Sequence, residues 1–282
     1  MRNPYRTQNI AFFLLLLATL LIVVPVGLIV VIIIQKGLPA INWQFLTDIP
    51  RQGMRAGGIF PAIVGTLYLV TGAILFALPI GLLAAIYLSE YSKDNILSRM
   101  VKLSIVNLAG VPSVVYGLFG LAMFVVFLRF GASILSGSLT LGIMILPIII
   151  TTSREALESV PQSFREVSLS LGASKWQTIR NIVLPNAIPG ILTGTILGLG
   201  RAAGETAPIL FTVAAFYLPQ LPKSVFEQAM ALPYHLYVIS TQVPNVDEKV
   251  RYGTALVLLM IVLAMNLIAI VIRYQFRKRK KW

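Results

Sequence analysis

Cysteine is absent from the 282 residues, histidine occurs once and only ten residues are acidic. The missing thiols exclude disulfides, thiolate nucleophiles and cysteine-held metals. A lone imidazole leaves little for metal or proton-relay chemistry. Charged side chains make up 12% of the chain, about half the share of a soluble domain. Motif absences narrow the field further. There is no G-x-x-x-x-G-K-[ST], so ATP is not held through a P-loop by this chain. There is also no G-x-G-x-x-G after a strand, no H-E-x-x-H and no G-x-S-x-G, so the chain reads as a non-enzyme. What is abundant is apolar surface: 57% of residues are hydrophobic. The net charge of +13 sits between long uncharged runs, which excludes a nucleic-acid-binding reading. The composition is that of an all-α polytopic membrane protein embedded in a lipid bilayer.

A bilayer core about 30 Å thick needs roughly 20 apolar helical residues. Six stretches satisfy this: Ile10 to Ile34, Ile59 to Leu88, Leu103 to Leu128, Ile134 to Ser153, Ala187 to Tyr217 and Tyr252 to Ile272. Gly137 and Ser138 interrupt the start of the fourth. Arg2 and Arg6 precede a first run too long for a signal h-region and without a small-x-small site, so a retained helix is expected. Fifteen basic residues fall in segments on the side of the N-terminus and seven on the opposite side. The positive-inside rule therefore places both termini in the cytoplasm. The chain divides into residues 1–58 (tail, first helix, outer loop), a core at 59–272 and a basic tail at 273–282 that anchors the topology. The outer loop 35–58 reads as ordered with little regular structure, and a short surface helix is expected within 218–251. His235 in that segment reads as a surface or packing residue.

The longest inside connection, 154–186, holds two amphipathic stretches. Ser163 and Glu166 fit a capping box opening the first, and Gly172 is placed to terminate it. The second carries Trp176, Ile179, Ile182 and Val183 and is expected to end at Leu184-Pro185, where the chain turns back to the membrane. Such a knob suits a groove in a soluble partner. In the fifth span Gly190, Gly194 and Gly198 recur at four-residue intervals, which permits close helix approach. Arg201 and Glu205, also four apart, share a helix face and can pair, while Pro208 kinks the far end. Two readings of the pair stand together. It can hold helices in place, or it can line a pathway, since a guanidinium offers a planar fork to an oxyanion. Thr206 adds a hydroxyl. On the third span, Pro112 reads as a kink, and Ser113 as either a backbone-bonded hydroxyl or a donor to a passing anion, with Tyr116 one turn on.

Glu166, Gly172, Ile182 and Leu184-Pro185 resemble the E-A-A–x3–G–x9–I–x–L-P signature of ABC importer permeases, with Val167 and Ser168 replacing the two alanines. Arg201 to Pro208 (RAAGETAP) and Val111 to Leu121 (VPSVVYGLFGL) are similar to segments of the phosphate-specific, PstA-type members, and the sister PstC-type is similar too. The resemblance implies a type I ABC importer permease fold with six transmembrane helices, in which 154–186 is the loop that couples to the ATPase. It also implies a PstC-like permease partner, two PstB-like ABC ATPase subunits carrying the ATP and Mg, and an external PstS-like phosphate-binding protein. Arg201, Glu205, Thr206 and Ser113 would then line the substrate pathway. A permease for sulfate or molybdate, an ATPase-independent channel or carrier, and a structural scaffold remain alternatives.

Overall fold

In a computed structural model, which describes residues 4–93 and 95–278, long helices run nearly from end to end of the chain. Pro4–Gly37 forms α1, and Trp43–Thr47 forms a one-turn α2. A minimal hairpin pairs β1 (Pro50–Arg51) with β2 (Ala56–Gly57) antiparallel. Then follow α3 (Phe60–Ile86, extended by a π turn over Tyr87–Tyr91), α4 (Ile96–Ala109), α5 (Ser113–Gly120, extended by a π turn over Leu121–Phe127) and α6 (Ile134–Glu158). The second half contains α7 (Gln162–Ser170), α8 (Lys175–Thr178), a π turn over Ile179–Val183, α9 (Leu184–Gly204), α10 (Ala207–Thr212), α11 (Leu232–Thr241) and α12 (Glu248–Lys278). Five of these helices are long and apolar enough to cross a membrane by themselves, and α4 with α5 make a sixth, bent span.

The order of packing follows from where each helix is apolar and where it is small. The centre is α6, flanked by α3 and α9; α12 packs on α9, and α1 packs mainly on α12. Ala73 and Ala77 of α3 are fully buried with Met144, Ile145 and Ile149 of α6, a seam of small against large side chains. α1, by contrast, exposes nearly every Leu, Ile and Val along its length. In water that would be intolerable, but against lipid tails it costs nothing. Its C-terminal end is pinned to α12 by a Lys36–Glu248 ion pair of 2.8 Å.

Several expectations are corrected. The third span is not a kinked helix: α4 and α5 meet at 102°. Pro112 has no N–H to continue α4 and instead caps α5 with φ −58° and ψ 141°. The Tyr116 hydroxyl closes the corner by donating to the Leu108 carbonyl at 2.7 Å. Gly137 and Ser138 do not interrupt the fourth span. Ser133 caps α6, and both residues lie inside that helix, Gly137 facing Leu69 and Val213 and the Ser138 hydroxyl donating to the Leu69 carbonyl. The expected surface helix is α11, and it is buried. Its Leu232 N–H donates to Thr66 of α3 at 2.8 Å, and His235 is enclosed. The tail begins inside α12, which carries Arg273 and Lys278; Arg279, Lys280 and Lys281 lie outside the described residues, as do Arg2 and its neighbours 1–3.

Candidate substrate pathway and coupling surface

Arg201 occupies the last turn of α9, where a cation complements the negative end of the helix dipole. The helix stops at Gly204. Glu205 is extended (φ −78°, ψ 136°), Thr206 precedes α10, and Pro208 lies in the first turn of the new helix. The expected continuous fifth span, kinked at Pro208, is therefore broken at Glu205-Thr206. Arg201 and Glu205 do not share a helix face, yet they still meet, with Nε 3.6 Å from Oε1. That is too long for a hydrogen bond. The side chains are 31% and 19% exposed, and Arg201 forms no hydrogen bond within the described residues.

A half-exposed guanidinium inside a membrane bundle cannot face hydrocarbon without a cost of several kcal/mol, so its open side looks into water or toward another subunit. The void beside Glu205, bordered by Thr66, Leu141 and Pro233, is about 10 Å³. That is room for about one water, not for an oxyanion. Any anion reaching this pair approaches from outside the chain's own core. Thr206 is half-buried at the break. Ser113 is the first residue of α5, half-buried, one turn before Tyr116. The three glycines face α6. A Cβ on Gly190 or Gly194 would collide with Ala156 or Thr152, while at Gly198 it would touch Ile145 and Ile149 at 3.6 Å.

In the connection 154–186 the expected capping box at Ser163 and Glu166 is not formed: α7 starts behind Pro161, and Glu166 lies exposed in mid-helix. Proline supplies the fixed φ there, so no side-chain cap is needed. The capping box belongs to α8, where Ser174 and Gln177 cap each other's backbone. Gly172 does end α7, with φ +83°. Its N–H donates to the Leu169 carbonyl and that of Ala173 to the Ser168 carbonyl, a Schellman closure that requires the left-handed conformation at the glycine. Nor does the second amphipathic stretch end at Leu184-Pro185. α8, the π turn containing Ile182, and α9 run on as one 30-residue span from Lys175 to Gly204. Pro185 falls within the first two positions of α9, where a missing N–H does no harm. α8 is thus joined to Arg201 by unbroken helical backbone. Val167, Leu169, Leu171 and Trp176 stand exposed on the knob, an apolar surface prepared for a partner. Ser168 is buried against Thr178, their hydroxyl oxygens 2.9 Å apart, which explains a small polar residue at that position.

Beneath the knob, Arg165 of α7 is locked to Glu90 in the π turn after α3. Nη2 meets Oε1 at 2.7 Å and Nε lies 3.2 Å from both carboxylate oxygens. The remaining donors reach the carbonyls of Val160 at 2.7 Å and Leu157 at 2.9 Å, at the end of α6. One guanidinium thereby ties three helices together.

Residues 77–282 match the protein family described as binding-protein-dependent transport system inner membrane component. The chain belongs to that family. It is 34% identical over 258 residues to the probable ABC transporter permease protein YqgI of Bacillus subtilis, covering 86% of this chain and 87% of that one. It is 37% identical over 227 residues to the phosphate transport system permease protein PstA 1 of Mycobacterium tuberculosis (80% and 73% covered). The probable phosphate transport system permease protein PstA of Methanocaldococcus jannaschii is 36% identical over 255 residues (90% and 88% covered). Among solved structures, an importer of the acidic polysaccharide alginate superposes over 97% of this chain and 96% of its own, with a TM-score of 0.62 at 15% identity. The inward-facing MetNI methionine ABC transporter superposes over 77% and 97%, with a TM-score of 0.59 at 16% identity. The fold is that of type I ABC importer permeases, with membrane-spanning helices throughout.

Within that family fold, the sequence reading found the break-site charges and the knob but missed Arg165 and Glu90. They lie 75 residues apart. The only available signal was that Glu90 is a carboxylate in a short basic connection, and that is too common to single out a partner. The sequence reading also missed the turn at Gly110–Pro112, because a Pro inside an apolar run reads as a kink.

Proposed function

We propose that this chain is the membrane-spanning permease subunit of an ATP-driven ABC importer of inorganic phosphate. The observation that carries the reading is the loose Arg201–Glu205 pair at a broken span, open on its outer side. The guanidinium is held in place but not consumed. An arriving oxyanion can take its free donors while Glu205 balances the charge when no anion is bound, which keeps attraction from becoming a trap. Discontinuous helices are where transporters place ion sites. The PstA names of the relatives supply the substrate, which a guanidinium alone does not choose from among phosphate, sulfate and molybdate. Thr206 and Ser113 are the hydroxyls proposed to assist.

The partners follow from the same reading. A second, PstC-like permease closes the open side of Arg201, two PstB-like ATPase subunits bind the exposed knob around Glu166 and Gly172, and a PstS-like protein delivers phosphate from outside. ATP and Mg reside on the ATPases. Because the knob faces them, both termini are cytoplasmic. ATPase closure moves α7 and α8, and the continuous α8–α9 span, through Ile182, Leu184 and Pro185, carries the movement to the pair. Glycines 190, 194 and 198 let α9 travel with α6 as one body.

Uptake of radiolabelled phosphate, in cells lacking this chain and with it restored, tests the reading. Restored, ATP-dependent uptake that excess sulfate does not inhibit is expected. Restored uptake of sulfate or molybdate instead would remove phosphate, and uptake surviving ATP depletion would favour a channel or carrier.

A further inference from the structure

On the face of the bundle that carries the knob, the π turn after α3, α4 and the end of α6 enclose a cavity of about 160 Å³. Three cations border it: Arg99 and Lys102 of α4, and Arg154 of α6. Leu103, Val106 and Ile150 form its apolar wall. The Nε donor of Arg154 is buried and has no hydrogen-bond partner. Its ion-pair partner, Glu158, is 3.6 Å away, too long for a hydrogen bond, and half-exposed to solvent. Among the described residues Arg99 and Lys102 have no ion pair.

Helix stability does not explain these charges. Arg99 stands at the start of α4, where the dipole disfavours a cation, and its three-residue spacing from Lys102 puts like charges side by side. An unused buried donor costs about 1–3 kcal/mol, a penalty that an acceptor entering the cavity would remove. The acceptor must be anionic, and it must also tolerate the apolar wall. An ATPase carboxylate or free phosphate meets the first demand and not the second. A phospholipid meets both: its phosphate at the cations and its acyl chains along Leu103 and Val106, which are exposed on α4.

We propose that this cavity is a binding site for the phosphate group of an anionic phospholipid in the cytoplasmic leaflet, holding α4 to α6. It uses the sidedness proposed above but not the identity of the substrate. Basic pockets between helices on the cytoplasmic side suit such head groups, at roughly fivefold in affinity per cation near the surface.

The test is native mass spectrometry of the assembled transporter taken from nanodiscs of phosphatidylglycerol or of phosphatidylcholine. Retained phosphatidylglycerol in excess of phosphatidylcholine is expected. It should fall roughly fivefold for Lys102→Gln and again for Arg154→Gln, and be kept by Arg154→Lys. Millimolar inorganic phosphate should not displace it. If the Arg154→Gln protein fails to assemble, Arg99→Gln, at an exposed position, must show the same fall. Equal retention of both lipids, or no loss in the Gln variants, overturns the site. Displacement by inorganic phosphate would make it a small-anion site and overturn the lipid assignment.

Discussion

Two Arg–Glu pairs in this chain differ in nearly every physical respect. Arg165–Glu90 is 12% and 7% exposed, bidentate, with its shortest contact at 2.7 Å and its spare donors on two backbone carbonyls. Arg201–Glu205 is 31% and 19% exposed, with a single 3.6 Å approach. The first has four of its five N–H donors engaged; the second has a fork with nothing in it. The saturated pair has the geometry of a strut, and the unsaturated one is the pair proposed to receive the anion. Mutations should therefore separate stability from transport in opposite directions at the two places.

The largest effect is expected where the strut loses one member. Glu90→Gln leaves a buried guanidinium uncompensated, worth roughly 3–5 kcal/mol. Thermal unfolding of the purified protein should fall steeply, and transport with it. Arg201→Gln should abolish uptake while changing stability by about 1 kcal/mol or less, because a loose, partly solvated pair contributes little. Gly194→Leu forces a side chain into Thr152 and should cost roughly 1–3 kcal/mol, read as a lower melting temperature. Gly172→Ala strains a φ of +83° and should cost about 1 kcal/mol, read as weaker co-purification of the ATPase partner.

The smallest effect concerns pH. Burial of His235 lowers its pKa from 6.5 to about 4. The folded state thus prefers the neutral ring, and the unfolded state binds the proton first. Stability from this residue is complete above pH 6.5 and declines as pH falls from there toward 4. His235→Gln should flatten that decline in melts at pH 7 and pH 5 without altering the other differences.

These contrasts also mark what was legible beforehand. Span number, the knob and the Gly172 terminator were readable because hydropathy, amphipathic spacing and a glycine bend are local properties. The RAAGETAP stretch announced its charges, since an Arg and a Glu in an apolar run are costly and stand out, whether they hold helices or line a pathway. Three things were hidden for physical reasons. A helix break at Glu205-Thr206 costs little when α10 can restart from Pro208, and nothing in the spacing of charges reveals it. The continuity of α8 into α9 through Leu184-Pro185 depends on proline falling at a first-turn position. The Arg165–Glu90 strut depends on three helices converging, which no short motif encodes.

The most direct test of the central claim measures initial phosphate uptake and melting temperature together, on proteoliposomes of the assembled transporter carrying Arg201→Gln. The account predicts uptake reduced at least about a hundredfold, the loss expected from removing a charged partner of a bound oxyanion, with a melting temperature within about 2 °C of the parent. Uptake that persists, or a melting temperature that collapses along with uptake, would show Arg201 to be a second strut and would contradict the account.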